Sequence, residues 1–231
     1  MSTIKFPWTM QPQSVPRINW ANPITNGLQV FFVPDNVIAS GSASNSLNHL
    51  GKGVSTDGSS QYQFVPKTWE YGPGVTIAAL SDCNWRTATT YERLATVRTG
   101  TKSTGIQLSD AGTKSIQVFC NAAVETNGYL TCVLPASATT GVHLFVGTTE
   151  YSLASHKAYV DGIKLSGSTG GNGSVSLDAG ASGLDIGRTQ YDSTNYFGRY
   201  NWIGLVVAWN RALSEPEVSE FSKSPWQIFA P

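Results

Sequence analysis

Charge is scarce in this sequence. Only 13% of its 231 residues are charged, and 15 basic residues balance 15 acidic ones. Binding to a phosphate backbone calls for a basic excess, so no nucleic-acid partner is expected. Cysteine is rarer still: Cys83, Cys120 and Cys132 are too few, and odd in number, for a disulfide framework. The histidines, His49, His143 and His156, lie far apart without metal-motif spacing. No run approaches the roughly 20 apolar residues of a spanning helix, so no membrane partner is expected. The stretch from Met1 to Trp8 has no signal-peptide apolar segment, which predicts synthesis in a reducing cytoplasm. Nucleophile-elbow and P-loop motifs are missing. A retaining glycosidase needs two carboxylates roughly 5–5.5 Å apart, and a strand would show them as alternating acids. No such run exists, so no catalytic residue and no enzyme activity are expected. The one dense acid cluster, Glu215, Glu217 and Glu220, is explained by helix capping.

What is present is apolar residues at 40%, aromatics at 11%, 23 glycines and 11 prolines. That suffices for a core without a disulfide or metal staple. Residues 1–27 stand apart, with Pro7, Pro12, Pro16 and Pro23 among Trp8 and Trp20. Proline fixes φ and removes donors, so this is an extended arm. It either lies on its own domain or docks onto a partner through Phe6, Trp8 and Trp20. Residues 28–231 form the remaining domain. Strand patterns recur at 28–33, 61–65, 75–80, 93–98, 105–108, 115–120, 129–134, 142–146, 157–160, 163–165, 175–177, 184–186 and 202–209. Gly/Ser/Asn/Thr clusters separate them, and the glycine-rich stretch 167–173 reads as a flexible loop. The fold class is all-β: a two-sheet antiparallel jelly-roll sandwich with one short C-terminal helix.

Several segments are sharper. Asp161-Gly162 between alternating runs is a two-residue hairpin signal. From Trp202 to Trp209 both alternating sets are apolar, which predicts a central strand covered on each side. Strict alternation puts Ile203, Leu205, Val207 and Trp209 on one face, and Trp202, Gly204, Val206 and Ala208 on the other, with Gly204 leaving room for a bulky neighbour. Ser214 with Glu217 forms a capping box, Pro216 suits the first turn, and Val218 and Phe221 share a helix face. Cys120 and Cys132 alternate with apolar neighbours and point into the core as free thiols. Two loops combine aromatics with planar polar groups, the chemistry that recognises sugars. One holds Asp82, Asn84 and Trp85; the other holds Asp192, Asn195, Tyr196 and Arg199. The competing reading is that these aromatics cap the end of the sandwich.

The stretches His143–Thr149, Lys157–Ile163 and Gly183–Arg188 resemble LamG-like, concanavalin A-like jelly rolls. So does the run from Asn201 through Asn210-Arg-Ala-Leu-Ser214 to Val218. The ending Ser224–Pro231 and the stretch Trp20–Leu28 look like LamG-like proteins of bacteriophage and prophage genomes. The resemblance covers roughly 20–231, with its specific motifs in 143–231. It implies a non-catalytic module of a bacteriophage virion, a capsid decoration or head or tail appendage protein, that binds other virion proteins. A lectin-like glycan binder for host adsorption is the alternative, and a glycoside hydrolase ranks behind both. The implied location is the virion, with assembly in the bacterial cytoplasm, and a homo-oligomer such as a trimer suits locally symmetric lattice sites. No cofactor is expected. Some relatives hold calcium at the sandwich rim; no matching ligand set stands here, although carbonyl ligands leave no sequence trace.

Overall fold

The computed structural model describes residues 17–32, 44–48, 51–57, 62–70, 72–82, 92–99, 102–109, 112–122, 126–171, 180–191, 194–197 and 199–229. In chain order the strands are β1 (Leu28–Phe32), β2 (Ser44–Asn48), β3 (Gly51–Asp57), β4 (Gln63–Trp69), β5 (Val75–Asp82), β6 (Glu92–Thr99), β7 (Lys102–Ser109), β8 (Ser115–Ala122) and β9 (Thr126–Val133). Then come β10 (Val142–Thr149), β11 (Lys157–Val160), β12 (Ile163–Lys164), β13 (Gly167–Gly171), β14 (Gly180–Ile186), β15 (Arg188–Tyr191), β16 (Thr194–Phe197) and β17 (Arg199–Trp209). The helix α1 (Glu215–Lys223) follows.

Two antiparallel sheets form the jelly-roll sandwich expected from the sequence. The first runs β12-β11-β10-β5-β17-β3-β2. Its 11-residue strand β17 pairs β5 along one edge, and shares the other between β3 and β1. The second sheet runs β13-β9-β8-β7-β6-β14-β4, and β15 and β16 make a separate ribbon that packs against β6.

The inter-sheet core takes Ile77, Phe145, Val206 and Ala208 from the first sheet and Val97, Ile106, Val118 and Leu184 from the second. A second apolar cluster lies on the outward side of the first sheet. Leu80, Leu144, Trp202, Leu205, Val207 and Trp209 meet Val218 and Phe221 of α1 there, together with Ile24, Ile228 and Phe229. The first sheet is therefore buried on both sides, as the doubly apolar β17 predicts. Strict alternation fails within it. A register shift between Ile203 and Leu205 moves Ile203 to the inter-sheet side and Leu205 outward. One extra residue in a strand exchanges faces. The bulky neighbour of Gly204 is Trp202, whose ring would lie 2.0 Å from a Cβ placed there.

The hairpin at Asp161-Gly162 forms with both residues at positive φ, 51° and 80°. Ser214 flanks α1, and its backbone N–H donates to Glu217 Oε2 at 2.8 Å. Arg211 grips the same carboxylate through both terminal nitrogens, at 3.0 and 2.7 Å. Its guanidinium leads the influences that hold Glu217 down to a pKa of about 2, against an opposing effect of burial. Cys120 and Cys132 are buried thiols that form no disulfide, and burial pushes Cys132 up to about 11.

Further expectations are corrected: the described parts of the expected loop around Asn195, Tyr196 and Arg199 are strands β15, β16 and the start of β17. Residues 167–171 are strand β13, paired with β9, not a loop. Glycine is what admits them: a Cβ on Gly167 would stand 2.1 Å from Thr131 O. β2 and β3, rich in Ser, Asn and Gly, carry no apolar alternation by which to be found. The expected strand at 175–177 lies outside the described residues.

Candidate functional site

The outward side of the second sheet is built differently. Because Ile106 and Leu108 point into the core, Ser103, Gly105 and Gln107 of β7 face outward. The same alternation turns out Gln117 and Phe119 of β8 and Tyr129 and Thr131 of β9. Register places Gln107 beside Gln117, and Gln117 beside Thr131. The three form a hydrogen-bonded row. Gln107 Nε2 donates to Gln117 Oε1, and Gln117 Nε2 donates to Thr131 Oγ1 at 3.0 Å. Gln107 Oε1 is buried and accepts no hydrogen bond; Ser103 Oγ is likewise buried without a partner. Buried polar groups without a partner are costly to a fold.

Beside that row runs an aromatic one. Asp185, Thr96, Gly105, Phe119, Tyr129 and Gly170 are neighbours across successive strands. Phe119 lies over Gly105, and Tyr129 over Gly170; in each case a Cβ on the glycine would be 2.6 Å from the ring. The rings thus lie flat on the sheet. The Arg93 guanidinium sits 4.3 Å from the Phe119 ring centre, a cation–π contact. Arg98 Nε stands 3.3 Å from the fully buried Asp185 carboxylate. Phe119 is wholly buried, with Gly105 beneath it and Arg93 over it, so the half-buried Tyr129, beside the half-buried Thr131, is the ring that can meet an apolar C–H face.

The residues expected from sequence are distributed as follows. Asp82 ends β5 on the first sheet, opposite Val142. Next to it, His143 Nδ1 meets Asp161 Oδ2 at 2.6 Å, and Nε2 meets the Thr140 carbonyl at 2.9 Å. Burial opposes the charge of His143, but the Asp161 bond and charge, the Thr140 carbonyl and Asp82 prevail and raise its pKa. The buried His156 goes the other way, because desolvation dominates. Asn195 and Tyr196 sit on β16 in the ribbon against β6, the strand of Arg93; Arg199 opens β17 opposite Asp57. Asn84, Trp85, Asp192, Phe6 and Trp8 lie outside the described residues. Trp20 is 70% exposed. The row Gln107, Gln117, Thr131, with Phe119 and Tyr129, was missed by sequence reasoning. The available signal was polar or aromatic side chains at alternate positions opposite the apolar ones in β7, β8 and β9. Among the described residues, no cluster of three or more His, Cys, Asp or Glu is arranged to hold a metal. No helix among them is long and apolar enough to cross a membrane.

Fold and face together define a jelly-roll sandwich with one side sealed by its own chain and the other polar and aromatic. Neither a protein-family model nor a curated protein sequence matches the chain. Solved structures do. Domain 4 of AbnA, a GH43 extracellular arabinanase from Geobacillus stearothermophilus solved with arabinotriose, is 12% identical with a TM-score of 0.53, over 84% of this chain and 87% of that one. Trypanosoma rangeli sialidase in complex with sialic acid is 17% identical with a TM-score of 0.57, over 88% of this chain and 34% of its own. A botulinum neurotoxin type C structure, whose cell entry depends on two ganglioside molecules, is 8% identical with a TM-score of 0.60, over 86% of this chain and 51% of its own. The chain thus spans about a third of the sialidase and half of the toxin chain. At these identities the likeness is one of fold.

Proposed function

We propose that this protein is a non-catalytic, lectin-like module that binds a neutral glycan on the outward face of its second sheet. The carrying observation is the half-buried Tyr129 ring, laid flat over Gly170, beside Thr131, which forms the accessible end of the otherwise buried Gln107–Gln117–Thr131 row. Recognition without turnover is supported by Asp185, the acid that the described part of this face presents: it is wholly buried and ion-paired, which leaves it unsuited to meet a water or a leaving group. The solved arabinanase domain, bound to arabinotriose, and the toxin, which depends on gangliosides, are compatible with such a role. A glycan array is the test. Binding to neutral glycans that falls about tenfold in Tyr129→Ala supports the site, a tenfold change being about 1.4 kcal/mol. No signal at high protein concentration, or a signal indifferent to Tyr129, overturns it.

A second reading is favoured by the LamG-like phage resemblance and by the exposed Trp20. In it the module is built into a bacteriophage particle in the bacterial cytoplasm, as a capsid decoration or appendage protein. The segment 1–19, with Phe6 and Trp8, engages other virion proteins or sibling subunits in a trimer. Mass spectrometry of purified particles tests membership. Unchanged occupancy after deletion of residues 1–19 removes the arm from the binding.

A further inference from the structure

A cleft of about 570 Å³ opens between the two sheets, where β1, the end of β4 and the turn before β1 converge. Trp20 stands at its rim, 70% exposed, on a turn pinned from both sides. Ile18 bridges Phe229, Asn19 N–H donates to Ile228 O at 2.8 Å, and Asn22 N–H donates to Asn19 O at 3.0 Å. Asn22 Oδ1 then caps the next turn by accepting from Ile24 N–H at 3.0 Å, and the Ile24 carbonyl accepts from Trp209 Nε1 at 2.8 Å. The backbone that carries the indole is therefore fixed, and the indole itself stands in water as an apolar contact surface at the cleft.

The polar groups around it converge on the same space. Glu70 and Gln29 join the two sheets: Glu70 N–H donates to Gln29 Oε1 at 3.2 Å, and Gln29 Nε2 donates to Glu70 Oε2 at 3.4 Å. Asn210 Nδ2 reaches the Glu70 carbonyl at 3.4 Å, while its Oδ1 would lie 2.8 Å from a Cβ on Gly27. Gly27, at φ +76°, is what lets the amide lie so close to the floor. Asn26 also lines the cleft, and among the described residues that line it Glu70 is the one charged side chain.

We infer that this cleft is a second binding site, for a neutral sugar, in which Trp20 stacks on the pyranose or furanose C–H face and Asn26, Asn210, Gln29 and Glu70 pair its hydroxyls. The single negative charge disfavours acidic sugars and phosphates and suits hydroxyl donors. This site uses no residue of the sheet face and stands independently of it.

The test is NMR titration of the full-length, isotopically labelled chain with methyl glucoside, methyl galactoside, methyl mannoside and arabinotriose. The Trp20 indole N–H and the side-chain amides of Asn26 and Asn210 are expected to shift together with at least one of them. Trp20→Ala should weaken that sugar about tenfold or more, Trp20→Phe should weaken it less, and Tyr129→Ala should leave it unchanged. Trp20 is exposed, so its variants should keep the wild-type melting profile. Unmoved indole and amide signals with every sugar, or undiminished binding in Trp20→Ala, overturn the inference. Shifts confined to Gln117 and Thr131 overturn it too, while leaving the sheet-face reading standing. Loss of binding in Trp20→Ala with retention in Tyr129→Ala would do the reverse.

Discussion

The two sheets of this sandwich follow one alternation rule and finish in opposite ways. Outward positions of the first sheet are Leu80, Leu144, Trp202, Leu205, Val207 and Trp209, and the chain covers them with α1 and its terminal segments. Outward positions of the second are Ser103, Gln107, Gln117, Phe119, Tyr129 and Thr131, held in a hydrogen-bonded and ring-on-glycine lattice. Sealing an apolar face contributes stability through area removed from water. A face of amides and flat rings contributes less, since hydrogen bonds to water are exchanged for internal ones. The difference sets an apolar seal on one side of the molecule against a hydrogen-bonded polar lattice on the other, the side on which the proposed glycan site lies.

The largest expected effect comes from breaking the sealed side. Trp209 is fully buried and packs edge-on against Phe221, with ring centres 5.2 Å apart. Trp209→Ala should cost about 3–5 kcal/mol in denaturant unfolding, whereas Tyr129→Ala should cost far less and act on glycan binding. Equal losses of stability in the two would erase the distinction.

An intermediate effect is expected where the seal is fastened. The Glu217 pKa of about 2 lies below its ordinary 4.5, so the contribution of its pairing with Arg211 is complete above pH 4.5 and is lost as pH falls toward 2. Arg211→Ala should lower stability at neutral pH by about 1–2 kcal/mol, after allowance for solvent screening of a partly exposed pair. It should also flatten the acid limb of the stability curve. An acid limb identical to wild type would place the acid sensitivity elsewhere.

The smallest change in stability, and the sharpest test of the polar side, is the double substitution Gln107→Leu with Gln117→Leu. Replacing both partners removes the unmet Gln107 carbonyl along with the bond, so stability should stay within about 1 kcal/mol or rise. Glycan binding should fall. Lost stability with intact binding would make the amide row structural.

Much of this was legible in the sequence. The doubly apolar run of β17 gave a central strand, Asp161-Gly162 gave a hairpin, and Ser214 with Glu217 gave the start of α1. Each is a local rule expressed by neighbouring residues. The bulge at Gly204 was not legible, because a face exchange depends on pairing with β5. Nor was β13, whose glycines read as a loop until β9 lies alongside.

The candidate site divides in the same way. Sequence composition pointed to aromatics beside planar polar groups, but in loops, at Asp82, Asn84, Trp85 and at Asp192, Asn195, Tyr196 and Arg199. The row from Gln107 to Thr131 draws one residue from each of three strands, so no contiguous segment contains it. Trp20 and Glu70 meet across one cleft from distant positions for the same reason.

By itself, then, the sequence determined the all-β class, the turns, the single capped helix and the neutrality that any partner must match, because propensity, periodicity and charge are local or additive. Which apolar face the chain seals for itself, and which polar groups stand together on the face it leaves, were decided only by strand order and register. Those pair residues far apart in the chain, and a shift of one residue exchanges inside for outside.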